Sequence, residues 1–346
     1  MTRLLLAIES TCDETAAAII TRDGQILGQC IATQEDLHQR FAGVVPEIAA
    51  RAHLERMMPV VDSAIKQSGI QPKDLEAIAV ATHPGLPGSL LVGLATAKGL
   101  ALAWQKPIVG INHVQAHIYA CGLGRPTSIY PCIGFVVSGG HTSLYKCETA
   151  MDWEYMGGTI DDAAGECFDK VAVMLGLPFP GGPELSKLAK MGDPKSIAFP
   201  RPLLDDKTRL EFSFSGLKTS VRYHIAGTGK QDWDEVKLPE QQKANIAASF
   251  EQAVVDCLVG KCLQAVRQSG LGRVCVGGGV AANMVFRSQL QHACDTVGCE
   301  LIFAPRELCT DNAAMGALAW ERIDRGDFDD LTLDVQPGLI RPSKAK

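Results

Sequence analysis

Nowhere among the 346 residues do two cysteines stand in a Cys-x-x-Cys pair, although the chain has 12 of them. The closest spacings are Cys257/Cys262 and Cys294/Cys299, while Cys132, Cys147 and Cys275 lie in apolar strand-like runs where cysteine acts as a small buried hydrophobe. A cysteine zinc site and a disulfide framework are both disfavoured. Long hydrophobic runs are missing too: the longest, 91–104, is broken by Lys98 and is too short to span a bilayer. The opening residues to Glu9 are apolar too briefly for a signal peptide, so the expectation is a soluble cytoplasmic chain with no membrane partner. Positive charge is not in excess. A net charge of −6 and a pI near 5.8 exclude a globally basic nucleic-acid binder, while allowing a local basic patch or a partner that carries the charge. The Gly-x-Gly-x-x-Gly fingerprint is absent, which disfavours a Rossmann dinucleotide site.

What is present is an ordinary globular composition, 46% hydrophobic and 21% charged, at a length suited to two domains. A linker is expected at 125–131, around Pro126 and Pro131. It divides the chain into domains 1–128 and 129–325, followed by a polar, peripheral tail at 326–346. The first half opens with strands at 4–9, 15–21 and 25–32, with the polar turn Ser10-Thr11-Cys12-Asp13-Glu14 between the first two. The second half repeats this: strand 132–137, turn Ser138-Gly139-Gly140-His141, strand 142–147. A turn of this kind offers backbone N–H groups and hydroxyls to a phosphate. Two of them suggest a duplicated α/β unit with a ligand held between the copies.

Helical periodicity covers 45–67, with Pro46 at its start and Gly69 past its end. Strand 75–81 leads to a small-residue helix at 89–104, then strand 107–111. Residues 177–183 read as a rigid turn cluster rather than a helix, and 228–237 as a surface loop. A long amphipathic helix spans 245–269. Strand 273–276 then runs into Gly277-Gly278-Gly279, a helix at 284–297, a strand at 301–304, and a helix from Ala313 to Arg325. Strand, glycine turn and helix together let a backbone approach a nucleotide closely.

Chemistry concentrates at Ile111-Asn-His-Val-Gln-Ala-His-Ile118. His113 and His117 stand at i and i+4, which places both imidazoles on one helix face as half of a first-row metal site. Asp311 is the candidate third ligand, with helix N-capping of the run from Ala313 as the competing role. Two histidines and one carboxylate with open positions suit Fe(II) or Zn(II). In a zinc protease, Glu follows the first His as general base; here the position is Val114, which cannot take a proton. Glu9, Asp13 and Glu14 cluster at the first turn. At least one of these acids is a candidate for handling substrate protons.

These motifs, together with Glu9-Ser-Thr-Cys-Asp-Glu-Thr15, Val45-Pro-Glu47 with Arg51 and His53, Pro84-Gly-Leu86, Asp161-Asp-Ala-Ala-Gly-Glu166, Pro180-Gly-Gly-Pro183, Phe212-Ser-Phe-Ser-Gly-Leu-Lys218, Gly278-Gly-Val-Ala-Ala-Asn283 and Cys309-Thr-Asp-Asn312, resemble the TsaD (YgjD) family across essentially the whole chain. The resemblance implies an α/β fold of two ribonuclease-H-like domains, of the actin, Hsp70 and sugar-kinase class, facing a cleft. It implies an acyltransferase that moves threonylcarbamoyl from threonylcarbamoyl-AMP to N6 of the adenosine 3′ of the anticodon, in tRNAs reading ANN codons. One divalent metal on His113, His117 and Asp311 follows, Fe(II) favoured over Zn(II). Val136, Val137, Ser138, Gly139, Gly140, Asp169, Gly182 and Asn283 fall on substrate-contacting positions. Asp13 and Glu14 are the catalytic candidates, Asp13 for accepting the amine proton. Partners implied are the tRNA anticodon loop, a paralogous TsaB-type subunit and a TsaE-type ATPase. Lys187, Lys190, Arg201, Lys218 and Arg222 are candidates for a phosphate-facing patch. Gln115 stands where relatives often carry Glu, and Glu184 is a second departure. The alternatives are an ATP-binding switch of the Hsp70 or sugar-kinase kind and a metal-dependent glycoprotein endopeptidase.

Overall fold

A computed structural model describes residues 2–41, 43–227 and 237–338. The strands are β1 (Leu4–Glu9), β2 (Thr15–Thr21), β3 (Ile26–Ala32), β4 (Ala77–His83), β5 (Ile108–Asn112), β6 (Cys132–Val137), β7 (Thr142–Cys147), β8 (Trp153–Gly158), β9 (Arg273–Gly277) and β10 (Glu300–Phe303). The helices are α1 (Glu35–His38), α2 (Pro46–Ser68), α3 (Pro87–Trp104), α4 (His113–Tyr119), α5 (Ala164–Met174), α6 (Gly181–Ala189), α7 (Ser215–Ala226), α8 (Glu240–Ser269), α9 (Met284–Val297) and α10 (Trp320–Ile323).

Two five-stranded sheets have the same plan. One has the order β3-β2-β1-β4-β5 and the other β8-β7-β6-β9-β10. In each, three strands form an antiparallel meander and two more add in parallel beside the first strand. This is the duplicated ribonuclease-H-like topology. The chain divides into two compact units: one holds the residues up to Tyr130, Glu148–Asp152 and everything from Ala304 onward; the other holds Pro131–Cys147 and Trp153–Phe303.

In the first unit, β1 is buried on both faces, as its unbroken apolar run requires. Leu4, Leu6 and Ile8 meet Met57, Val60, Val61 and Ala64 of α2 and Leu94, Ala97 and Leu100 of α3. Each fully buried aliphatic side chain contributes about 1.5–3 kcal/mol before chain entropy is counted. Alternation turns Ala7 to the opposite face, where a 3-10 segment, Ala313–Ala319, packs on β1, β2, β4 and β5. A Cβ on its Gly316 would lie 2.6 Å from the Ala7 Cβ, so only a run of small residues can lie this close to the strand.

That segment corrects two expectations. Ala313–Ala319 is 3-10 rather than α-helical, with only α10 regular beyond it. The chain from Ala304 returns to the first sheet, so Asp311 belongs to the unit of the histidine pair and not to a 129–325 domain. Residues 326–338 are not peripheral either. Asp329 N–H donates to the Ile108 carbonyl and Gln336 N–H to that of Thr82, while Leu333 and Val335 pack on the core. Residues 339–346 lie outside the described residues, as do 228–236 of the expected surface loop.

The second unit is centred on aromatics: Phe135 of β6 stacks on Phe212 at 5.8 Å and meets Phe286 of α9 edge-on at 5.9 Å. Residues 181–183, expected as a turn, are the first turn of α6.

Candidate metal centre

β5 delivers the chain to Asn112, whose side-chain oxygen accepts from Val114 N (2.8 Å) and Gln115 N (3.1 Å) and so starts α4. His113 is therefore the first helical residue and His117 lies one turn on. Their ring centroids are 4.6 Å apart, edge to face. Asp311 Oδ1 sits 3.4 Å from His113 Nε2 and 3.1 Å from His117 Nε2, and one donor atom from each residue falls within 4.8 Å of the others. The N-capping role that competed for Asp311 is filled by its neighbour: Asn312 is buried and accepts from Met315 N. Asp311 is thereby left to face the histidines.

His113 Nδ1 lies 3.0 Å from Glu9 Oε2 and 3.3 Å from Thr11 Oγ1. Glu9 also accepts from Thr11 N at 2.6 Å. An imidazole whose Nδ1 is held by a carboxylate has its ring fixed with Nε2 turned the other way, which is how metal-binding histidines are oriented. His117 is wholly buried, and neither of its ring nitrogens makes a hydrogen bond. Its Nε2 lies 3.1 Å from Asp311 Oδ1, yet outside hydrogen-bond geometry. Directionality decides here: two lone-pair atoms that converge without bonding leave a position for a cation. Buried polar atoms without partners cost about 1–3 kcal/mol each, a penalty that ligation removes.

The electrostatics agree. Burial opposes charge on His113, but Asp311 and Glu9 outweigh it and hold the imidazole well above its ordinary range. Burial and the neighbouring His113 pull His117 below its own. Against burial, His113 and His117 hold the Asp311 carboxyl well below the carboxylate range. This pocket is built for positive charge, and the residues fit one divalent ion. Glu14, by contrast, is pushed well above the carboxylate range by burial and by Asp13 and Asp311.

The remaining site residues fall in the second unit. Val136 and Val137 are wholly buried in β6, so only their backbone can meet a ligand. In the turn beyond, Ser138 N–H donates to the His141 carbonyl, and His141 N–H returns to Ser138 Oγ at 3.1 Å. Gly139 and Gly140 are exposed in that turn. Asp169 and Gly182 do meet: Asp169 Oδ1 accepts from Gly181 N (2.8 Å) and Gly182 N (3.2 Å), capping α6 from α5. Asn283 caps α9 through Phe286 N at 2.8 Å. Its amide also donates to Glu251 Oε1 (2.7 Å) and Ser186 Oγ (3.1 Å). Gly278 approaches the Val137 backbone at φ +96°, so this glycine serves strand packing. Of the five basic candidates, Lys187, Arg201 and Lys218 are held in ion pairs by Glu184, Asp256 and Asp162.

Sequence reasoning missed three contributors, Asn112, Glu251 and Ser186. Asn112, directly before a helical pattern, carried a legible capping signal. Glu9, one of the three acids that the sequence groups at the first turn, also orients His113. Glu251 and Ser186 gave no signal, being single polar residues within amphipathic helices.

Residues 25–318 match the family described as "TsaD: tRNA N6-adenosine threonylcarbamoyltransferase". The chain is 59% identical to the tRNA N6-adenosine threonylcarbamoyltransferase of Rhodopirellula baltica, covering 98% of this chain and 97% of that one. With the enzyme of the same description from Moorella thermoacetica it shares 48%, over 97% and 96%. In fold it resembles full-length HypF in its phosphate- and nucleotide-bound form (TM-score 0.61, 13% identity, 94% of this chain and 56% of that one). Component A of the Acidaminococcus fermentans (R)-2-hydroxyglutaryl-CoA dehydratase is similar as well (TM-score 0.53, 14% identity, 94% and 99%). The fold is that of the actin, Hsp70 and sugar-kinase class.

Proposed function

This chain belongs to the tRNA N6-adenosine threonylcarbamoyltransferase family and transfers threonylcarbamoyl to tRNA adenosine, and from that premise we propose how its residues divide the work. The observation that carries the reading is the convergence of His113, His117 and Asp311, with a fully buried His117 that has no hydrogen-bond partner. These three residues would hold one divalent cation, Fe(II) favoured and Zn(II) the other choice for such ligands. Such a cation, when bound, supplies Lewis acidity to a carbonyl oxygen.

The donor substrate is threonylcarbamoyl-AMP and the acceptor is N6 of the adenosine 3′ of the anticodon, in tRNAs reading ANN codons. An exocyclic amine must lose a proton as it acquires the carbamoyl group, and the acidic turn beside His113 supplies the acceptor. Burial, with Asp13 and Asp311 nearby, favours the neutral form of Glu14, so Asp13 is the base in this reading. In the second unit, Gly139 and Gly140 offer exposed backbone to the adenylate phosphate, as AMP leaves. Asp169, Gly182 and Asn283 serve the nucleoside, held in shape by the α6 and α9 caps they make. The peptidase and ATP-switch alternatives are not favoured; the position where a zinc peptidase has its base holds the buried Val114.

A TsaB-type subunit and a TsaE-type ATPase are the proposed partners. Support for the first comes from exposed apolar side chains on two packed helices, Leu54 (68%) and Met58 (50%) on α2 with Leu91 (50%) on α3. Among the described residues no helix is long and apolar enough to cross a membrane. The cytoplasm, where tRNA is found, is the proposed compartment.

The test is direct. The purified chain, with each partner supplied and omitted, is incubated with synthetic threonylcarbamoyl-AMP and a tRNA transcript that reads an ANN codon. Nucleoside analysis should find threonylcarbamoyladenosine next to the anticodon, with AMP released. An unmodified tRNA under every partner combination would overturn the reading.

A further inference from the structure

His53 takes no part in the chemistry described so far, although it lies close to the acidic turn. It stands on the inner face of α2, wholly buried, and both ring nitrogens are used. Nε2 is 3.0 Å from the Cys12 carbonyl oxygen, and Nδ1 is 2.7 Å from Thr15 Oγ1. A carbonyl only accepts, so Nε2 carries the hydrogen and Nδ1 accepts from the Thr15 hydroxyl. The two contacts bracket Asp13 and Glu14 from either side. Ser89 Oγ, at the start of α3, donates to the same Cys12 carbonyl at 3.2 Å, and Leu86 N to that of Thr11 at 2.8 Å. At its other end the turn reaches the metal centre through Thr11 and Glu9.

No regular secondary structure covers 10–14, so the direction of its carboxylates depends on these outside anchors. Ser89 and Leu86 hold the half nearer β1. His53 is the anchor that spans the acidic pair. A single donor in place of two at the Cys12 carbonyl would let the peptide between Cys12 and Asp13 rotate, moving both carboxyls relative to His113 and Asp311. An ångström at such a distance is costly in rate, while the ligands of either substrate are left untouched.

We propose that His53 is a positioning residue for the transfer step, holding the acidic turn through the Cys12 carbonyl so that Asp13 faces the reacting amine. The inference rests on the reading that this turn receives the amine proton. Gln places its amide nitrogen where the imidazole Nε2 stands, whereas Asn places it at Nδ1. This geometry sets the experiment.

His53→Gln, His53→Asn and His53→Ala are compared with Asp13→Asn in the transfer assay, with metal content and thermal midpoint measured on each. For His53→Asn and His53→Ala, kcat should fall about 10- to 100-fold. KM for either substrate should stay within about threefold and metal content should stay at the wild-type level, because His53 touches neither. His53→Gln should recover kcat to within about fivefold of wild type, whatever its thermal midpoint. Thr15→Val, nearly isosteric, removes the hydroxyl that holds Nδ1 and stands in if the alanine variant does not fold; a smaller fall, about 3- to 10-fold, is expected of it. Wild-type kcat in His53→Asn and Thr15→Val, with Asp13→Asn inactive, would overturn the inference and leave the role of the turn standing. Full activity in Asp13→Asn would overturn both.

Discussion

Glu9 and His113 lie 104 residues apart in the chain, yet Glu9 Oε2 stands 3.0 Å from His113 Nδ1 at the base of the metal centre. The contact fixes the ring so that Nε2 faces Asp311 and His117. Partners of this kind typically support metal affinity 10- to 100-fold. Glu9→Gln keeps an acceptor oxygen and should lose little affinity. Glu9→Ala should weaken metal binding by about one to two orders of magnitude while the protein stays folded. Competition with a calibrated chelator measures the difference.

A second prediction concerns acid stability. Burial raises the Asp162 carboxyl, but Lys218 and Lys170 outweigh it and hold it below the ordinary carboxylate value. A carboxyl lowered on folding stabilises fully above its unfolded pKa, about 3.9, and that contribution disappears as pH falls through the lower folded value. Asp162→Asn should therefore cost about 1 kcal/mol at pH 7. The gap from wild type should close as pH drops below about 4, as thermal midpoints between pH 7 and pH 3 would show. A gap that widened toward acid would be inconsistent with the assigned sign.

Helix α7 has a cap that comes from elsewhere in the chain. Asp161 accepts from Phe214 N at 2.8 Å and Ser215 N at 3.3 Å, and from the Ser213 and Ser215 hydroxyls at 2.6 Å each. Asp161→Ala should destabilise by about 1–2 kcal/mol, read as a lower urea midpoint. Asp161→Asn should recover part of that loss.

Gly278 in the second unit combines a left-handed backbone with close contact to a neighbouring strand. It adopts φ +96°, and an added Cβ would collide with the Val137 carbonyl. Gly278→Ala should cost at least about 2 kcal/mol and displace the adjoining 3-10 segment, Gly279–Ala282, that leads to Asn283. Urea unfolding and the nucleotide affinity of the purified variant check it together.

How much of this was legible in the sequence depended on how local each cause was. The bounds of β1, β2, β6, β7 and α9 follow from apolar runs closed by polar turns and caps. The half-buried edge strand β8 and the acid-rich α5 lack such patterns and were missed. Helix α6 opens on Gly181-Gly182-Pro183, a turn by local preference, and forms because Asp169 caps it from twelve residues away. Asp311 was legible as a candidate ligand but not as a member of the first unit, because its place follows from Ala313–Ala319 packing across β1. The role of Glu9 depended on a contact with α4 that no pattern near Glu9 signals.

The most direct measurement is metal stoichiometry by elemental mass spectrometry, with single-turnover transfer run on the same preparations of wild type, His117→Ala and Asp311→Ala. The account predicts one divalent ion per wild-type chain, under a tenth of that in each variant, and transfer rates that fall in step. A His117→Ala protein that retains the ion at the wild-type level, or that transfers at the wild-type rate without it, would contradict the account.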